Sequence, residues 1–164
     1  MNKYPMSFLA ILMATTILQA QQKINFSGSW DQPELEMVSG IQYSNAVPSK
    51  ISITQTKDSI KLERTSPGND GDVTITETIA LNGRQTIRLG KTSKRTITTS
   101  ATWSKEGQTL TLVTIYSYAG KPNEAEYTNT EVLELTPDGA LLITKTSDAA
   151  VTDDWTIKGI YQKS

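Results

Sequence analysis

From Ile51 onward, apolar residues recur at every second position in short runs that are separated by turn residues. This is the period of a half-buried β-strand, whereas an amphipathic helix repeats every three or four residues. Threonine is abundant in these runs, and its β-branched side chain favours the extended backbone. The pattern predicts an all-β domain of ten strands. They span residues 24–30, 49–56, 59–65, 72–81, 84–89, 94–104, 108–118, 125–135, 140–147 and 153–162.

The connections between these strands fall into two sets. Short turns, among them an Asn82-Gly83 pair that is typical of a type I′ hairpin, alternate along the chain with longer segments. In an antiparallel up-and-down meander, successive connections also alternate between the two ends of the sheet. We therefore expect the meander to close into a barrel of eight to ten strands, with hairpins at one end and loops at the other. The longer segments are residues 31–48, 66–71, 90–93, 119–124 and 148–152.

The first twenty residues have the pattern of a secretory signal. Lys3 precedes an apolar run from Phe8 to Leu18, and the small residue Ala20 offers a cleavage point. The apolar run is too short to span a bilayer. We therefore expect residues 1–20 to direct export to the periplasm, the outer surface or the medium. Residues 21–164 would then form a single domain.

The chain contains no histidine and no cysteine, and it carries 16 basic and 17 acidic residues. Ser-His-Asp and Cys-His nucleophile arrangements and His/Cys zinc sites are therefore excluded. The balanced charge leaves no basic footprint for nucleic acid. The short cluster Lys91, Lys94, Arg95 is interpreted as the solvated end of a hairpin. The sequence thus predicts a protein without a cofactor or metal that is not an enzyme.

Two acidic features leave narrower chemistries to consider. Glu77 and Glu131 share the predicted interior parity, so they are the candidate carboxylate pair for a glycoside hydrolase. Their alternative role is to neutralise Arg64 or Lys145, because an isolated buried charge is costly. Residues 69–72, Asn-Asp-Gly-Asp, offer oxygens to a calcium ion but lack the downstream glutamate of an EF-hand, and they are interpreted as a turn.

The apolar parity of each strand, taken as the inward one, places an apolar floor at the hairpin end and a polar, aromatic mouth at the loop end. A barrel with an internal site for a small apolar or amphipathic molecule has this arrangement. The strand ends of a filled barrel are also polar, so an exported interaction domain with a dry core is the alternative. The candidate ligand-binding residues are Arg64, Leu112, Tyr116, Tyr118, Tyr127, Asn129, Ile143 and Lys145.

Several motifs together carry a resemblance to a known family. Residues 26–30, Phe-Ser-Gly-Ser-Trp, contain a Gly-x-Trp motif at the first predicted strand. Ala-Thr-Trp at 101–103, the run at 131–139 and Ile-Tyr at 160–161 complete the pattern. Over nearly the whole mature domain, the chain resembles small exported bacterial lipocalin-like proteins, which are barrels of the calycin type.

The resemblance implies specific roles for the N-terminal part of the domain. Trp30 would plug the closed end of the barrel, with Lys158 or Lys163 as its basic partner. Residues 31–48 would fold over the mouth as a lid. Pro33 departs from the family pattern, because a proline there would interrupt the first strand early. The lid residues would be Leu35, Met37, Val38, Ile41 and Tyr43.

Overall fold

The computed structural model of the protein describes residues 23–40, 46–90, 93–149 and 152–164. These residues form ten strands: β1 Gly28–Ser39, β2 Lys50–Gln55, β3 Ser59–Ser66, β4 Val73–Ala80, β5 Thr86–Leu89, β6 Thr96–Trp103, β7 Leu110–Ser117, β8 Ala125–Leu135, β9 Leu141–Ala149 and β10 Trp155–Lys163. Within these ranges, no helix is long and apolar enough to cross a membrane.

The ten strands form one antiparallel sheet in which nearly every strand pairs with its neighbours in sequence. The first and last strands also pair with each other, with Trp30 opposite Lys163 and Leu35 opposite Gly159. The two edges of the sheet are β4 and β5, which approach each other with no ladder between them in the described residues. We call this gap the seam. The predicted all-β meander is confirmed, and it forms a nearly closed barrel whose seam lies in the middle of the chain.

Strand β1 is much longer than predicted. It extends to Ser39, so the prediction that residues 31–48 form a loop and lid is wrong for the first half of that segment. The backbone there pairs with β10, and this ladder provides the hydrogen bonds that a lid would lack. Among the proposed lid residues, Leu35, Met37 and Val38 lie in this strand, and Ile41 and Tyr43 lie outside the described residues.

Pro33 does not end β1, because neither neighbouring ladder uses its backbone nitrogen. The ladder with β2 ends at Asp31. In the ladder with β10, the register shifts between Asp31 and Glu34, so Pro33 lies within an irregularity. A proline is tolerated at such a bulge because its missing N–H is not needed there.

The inward parity predicted from the apolar pattern is confirmed. The exception is Tyr118. Most residues of that parity near the hairpins are buried, whereas those near the loops range from buried to exposed, and several of them are polar. The buried core at the hairpin end includes Ile60, Ile79, Leu110, Leu112, Leu133 and Leu141. Burying each such side chain contributes about 1.5–3 kcal/mol, so this packed end holds the barrel together and the loop end is left to carry a site.

The segment before β1 crosses the hairpin end and covers it. Ile24 N donates to Gly107 O at 2.9 Å. The Gln55 side chain accepts a hydrogen bond from Phe26 N at 3.0 Å and donates one to Ile24 O at 2.9 Å. The Phe26 ring is fully buried and stacks on Trp103, with 5.9 Å between ring centroids. The hairpin end is therefore closed by side chains from this segment.

Trp30 lies beside this cover and is 2% exposed. Its Nε1 donates to Phe26 O at 3.0 Å, and Lys163 Nζ lies 5.6 Å from the centroid of its ring. Of the two basic residues considered as its partner, Lys163 is the one that contacts it. Lys158 instead lies 3.3 Å from Glu36 Oε2 on the outer face of the sheet.

Candidate functional site

Two adjoining cavities open at the loop end of the barrel. The seam cavity, of about 330 Å³, lies beside β4 and β5. The rim cavity, of about 530 Å³, lies beside Trp155 and the ends of β8 and β9. Four residues line both cavities, so the two share a wall formed by Ala46, Tyr116, Asn129 and Lys145.

The described end of the β1–β2 connection lies within the mouth. The side chains at positions 46 and 47 are buried in a small cluster with Trp155 and Ile157. The Tyr161 hydroxyl donates to Pro48 O at 2.9 Å, and this buried bond ties the connection to β10. Residues 46–48 therefore cover the inner face of β10 and leave the cavities open on the side of β3, β4 and β7–β9.

A network of five charged side chains lines the seam cavity. Arg64 is at its centre, with Nη1 donating to Glu77 Oε2 at 2.7 Å and Nη2 donating to Glu131 Oε2 at 2.6 Å. Arg88 Nε donates to Glu77 Oε1 at 2.8 Å, which links β5 to β4 across the seam. Lys145 Nζ lies 3.4 Å from Glu131 Oε1. The network thus connects both edges of the sheet to the opposite wall of the barrel.

The charges of this network set the protonation of its members. Burial by itself raises the pKa of the Glu131 carboxyl group, but the charges of Arg64 and Lys145 and their hydrogen bonds outweigh burial and lower it to about 2. Burial also opposes the charge of Arg64, yet Glu131 and Glu77 hold its pKa above the ordinary value. A carboxylate held this firmly in its ionised form is unsuited to donate a proton at neutral pH.

The stability that Glu131 provides should depend on pH. A lowered pKa stabilises the folded state above the unfolded-state value near 4.5, and this contribution is lost as the pH falls towards 2. It amounts to at most about 3 kcal/mol, at about 1.4 kcal/mol per pH unit. We expect the free energy of unfolding to be higher for wild type than for Glu131→Gln. This difference should be largest at pH 7 and should decrease as the pH falls from about 4.5 towards 2.

Urea unfolding of both proteins, followed from pH 7 down to pH 2, measures that difference. Glu124→Gln is the matched control, because the Glu124 side chain is 58% exposed and its ion-pair partner Lys121 is exposed as well. Its difference from wild type should stay near zero throughout. A Glu131→Gln difference that is constant across the whole range would contradict the assignment.

An aromatic and charged stack lines the wall next to the network. The rings of Tyr116 and Tyr127, which are opposite in the β7–β8 ladder, stack with 4.3 Å between centroids. Burial, followed by the nearby Tyr127 and the charges of Glu77 and Glu131, raises the pKa of Tyr116 to about 12. Burial likewise raises the pKa of Tyr127. Both hydroxyls are therefore protonated donors at neutral pH.

Arg95 extends this stack at the rim. Its guanidinium group makes two hydrogen bonds to the Glu126 carboxylate, and its Cζ lies 5.8 Å from the Tyr127 centroid. Arg95, interpreted from the sequence as part of a solvated hairpin end, is 34% exposed and also lines the rim cavity. The other two members of that basic cluster differ, since Lys94 is exposed and Lys91 lies outside the described residues.

Asn129 contributes an unpaired acceptor to the shared wall. Its Oδ1 atom is buried, and no donor in the described ranges lies within hydrogen-bonding distance of it. Buried polar atoms nearly always have a partner in folded proteins, so an unpaired one inside a cavity marks a place where a bound molecule would complete the bonding.

The structure brings together most of the predicted site. Five of the eight candidates line the cavities: Arg64, Tyr116, Tyr127, Asn129 and Lys145. Leu112 and Ile143 are instead packed in the core, at 1% and 4% exposed, so they lie below the cavities and line neither. Tyr118 lies beyond the end of β7, where its N–H bonds to Glu124 O. A register shift after Tyr116 breaks the alternation that had placed Tyr118 inside.

The sequence pattern does not identify Arg88 as a site residue, because in β5 the apolar side chains point outward instead of inward. In this four-residue strand, the apolar side chains of Ile87 and Leu89 face outward and are 65% and 66% exposed. Apolar parity therefore points to the wrong face. The informative signal is the pairing with β6, in which Arg88 lies opposite the buried Ile97 and so shares its inward face.

The acidic turn at residues 69–72 does not add to the site. It is exposed, and the described residues contain no group of three or more acidic side chains arranged to hold a metal ion.

No family model matches the chain, and no curated protein was found to match it. What the protein does therefore has to be argued from the barrel and its two cavities.

Proposed function

We propose that the mature protein is an extracytoplasmic, lipocalin-like binding protein that holds a small amphipathic molecule in the seam and rim cavities. The single observation that carries the proposal is an accessible apolar surface on the inner face of the barrel. Val73 and Ile75 have the inward parity of β4, yet they are 53% and 51% exposed beside the charged network. In a filled barrel, residues of that parity would be buried.

The composition of the cavities supports an amphipathic ligand. The seam cavity combines Val73 and Ile75 with the charged network, and the rim cavity combines Trp155 and Tyr127 with polar groups. Apolar walls with a few placed polar groups, in volumes of about 300–1,000 Å³, are typical of small-molecule sites. Because the core below is fully packed, the ligand would lie in the mouth rather than extend to the hairpin end.

The proposal includes no catalytic step, because both acidic candidates, Glu77 and Glu131, are bound by Arg64. It does include export. The charged, apolar and small-residue pattern of residues 1–20 supports export.

One observation favours the alternative of an interaction domain without a small-molecule ligand. The edge strand β5 exposes Ile87 and Leu89 on its outer face, and exposed edges are where added strands pair. Two observations favour the binding site instead: β1 and β10 are paired with each other, and the loop end contains cavities.

We expect a fluorescent fatty-acid probe to bind the mature protein with one-to-one stoichiometry. Tyr116→Ala should weaken this binding about tenfold, because the variant removes a stacked ring from the wall that both cavities share. Fluorescence titration of the probe against purified protein measures both quantities.

Tyr118→Ala is the matched control, since Tyr118 is the same residue type two positions along the chain and lines neither cavity. Its probe affinity should equal that of wild type. Native mass spectrometry of protein purified from its own host, followed by extraction under denaturing conditions, would identify a bound molecule directly. Absence of probe binding together with a clean apo mass would overturn the proposal in favour of the interaction domain.

A further inference from the structure

The wall of the seam cavity has an excess of positive charge. Three cationic side chains, Arg64, Arg88 and Lys145, face two anionic ones, Glu77 and Glu131, so the network carries one net positive charge. In the rim cavity, Arg95 is paired with Glu126, so the rim adds no net charge beyond that of the shared Lys145. The sequence outside the described ranges contains no aspartate or glutamate that could neutralise this charge.

The excess is concentrated at Lys145, which both cavities share. Arg64 Nη2 donates to Glu131 Oε2 at 2.6 Å, whereas Lys145 Nζ lies 3.4 Å from Oε1 of the same carboxylate. Charge-assisted N–H···O bonds in proteins are usually about 2.7–2.9 Å long. The Lys145 side chain is nevertheless only 16% exposed, so water compensates its charge poorly.

The unpaired acceptor of Asn129 lies close to this cation. Asn129 is opposite Ser147 in the β8–β9 ladder, and Glu131 is opposite Lys145, so Asn129 and Lys145 are diagonal neighbours on the inward face. Diagonal neighbours in an antiparallel pair are about 7–8 Å apart at Cα. A cation whose ion pair is long and shared with Arg64, and a buried acceptor without a donor in the described residues, therefore lie close enough for one small head group to contact both.

We infer that the ligand is an amphipathic carboxylate that carries a hydroxyl or amide hydrogen-bond donor within a few bonds of the carboxylate. The carboxylate binds Lys145 and balances the charge of the network, and the donor bonds to Asn129 Oδ1. The apolar chain lies against Val73 and Ile75 at the seam or against Trp155 at the rim. This inference rests on the proposed function and specifies the head group that the same site takes.

Three probes with a ten-carbon acyl chain separate the two head-group interactions. They are 3-hydroxydecanoate, decanoate, which lacks the donor, and methyl 3-hydroxydecanoate, which lacks the charge. Isothermal titration with the mature protein should give the tightest binding for 3-hydroxydecanoate. Decanoate should bind about five- to tenfold more weakly through loss of one buried hydrogen bond. The methyl ester should bind at least about tenfold more weakly through loss of the charge pair.

Two variants assign these preferences to residues. In Lys145→Met, the carboxylate should no longer be preferred over its methyl ester, whereas the matched variant Lys158→Met, on the outer face of the sheet, should keep the full preference. In Asn129→Leu, 3-hydroxydecanoate and decanoate should bind equally. Near-ultraviolet circular dichroism of each variant verifies folding, and a fall in wild-type affinity with added salt tests the charge pair without any substitution.

The two proposals fail in distinguishable ways. Equal binding of all three probes, with each weakened by Tyr116→Ala, overturns the head-group inference and leaves the binding site in place. Binding of 3-hydroxydecanoate that Lys145→Met does not weaken also overturns the inference. If no probe of any head group binds, the proposed function itself is overturned.

Discussion

Arg64→Met should lower the free energy of unfolding at pH 7 by about 3–5 kcal/mol. Arg64 is the central cation of the network, and its side chain is 17% exposed. Its removal would leave Glu77 with Arg88 alone and Glu131 with only the distant Lys145. A half-buried carboxylate without a close cation bears most of its desolvation cost, and Glu131 would be such a group, whereas Glu77 would keep Arg88 at 2.6 Å. Urea unfolding of residues 21–164 measures the loss.

Two comparisons test whether the loss comes from uncompensated charge. Arg88→Met removes a 36% exposed side chain with one carboxylate partner, so it should cost no more than about 1 kcal/mol. Combining Arg64→Met with Glu77→Gln and Glu131→Gln removes the stranded charges, so it should restore most of the stability. A triple variant as unstable as Arg64→Met alone would show that packing, rather than charge, accounts for the effect.

Trp30→Ala should destabilise the barrel by a similar amount, about 3–5 kcal/mol, because it empties the volume of a buried indole at the closed end. The indole is 2% exposed, and it also bonds to Phe26 O and contacts Lys163. Denaturant unfolding gives the free energy. We further expect the variant to loosen the segment before β1, which hydrogen exchange at the Ile24 amide would report.

Substitutions of graded severity separate the contributions of Trp30. Trp30→Phe keeps an aromatic ring in the core but loses the Nε1 hydrogen bond, so it should cost about 1–2 kcal/mol. Leu89→Ala removes an apolar side chain that is 66% exposed, and it should change stability by no more than about 0.5 kcal/mol. Equal losses for Trp30→Ala and Leu89→Ala would contradict a plug role for Trp30.

Most of the fold follows from the period-two pattern. A strand with one buried face must alternate, so Ile51 and Ile53, or Leu110 and Leu112, locate both the strand and its inward side. The alternation of short and long connections then predicts which end is closed. These signals are local, and they succeed because each strand pairs with its neighbour in sequence.

The sequence signal fails where a strand is not buried on one face. The second half of β1 pairs only with β10, more than a hundred residues away in the chain, and its inward residues Leu35 and Met37 stay exposed. No local pattern encodes such a distant ladder. The same applies to β5 at the seam. Solvent reaches both faces of this strand, so the positions of its apolar side chains do not indicate which face points inward.

The sequence predicts which residues lie in the candidate site better than it predicts the contacts between them. Inward parity alone selects Arg64, Glu77, Glu131 and Lys145, because a charged residue on the apolar side of a strand stands out. Parity does not show that Arg64 bridges both carboxylates, since that contact spans the barrel from β3 to β8. The unpaired oxygen of Asn129 depends on the exact positions of its neighbours, and no sequence signal reports it.

The pairing of β1 with β10 also governs when this chain can complete its fold during synthesis. Trp30 and Lys163 are 133 positions apart, so the ladder that joins the two halves of the sheet cannot form until β10 has been synthesised. Until then, β1 and β9 present open edges on which strands from other nascent chains can add. Contacts this distant in sequence also slow folding. Loss of β10 would therefore leave two separate groups of strands, β1–β4 and β5–β9, each with an open edge that favours aggregation.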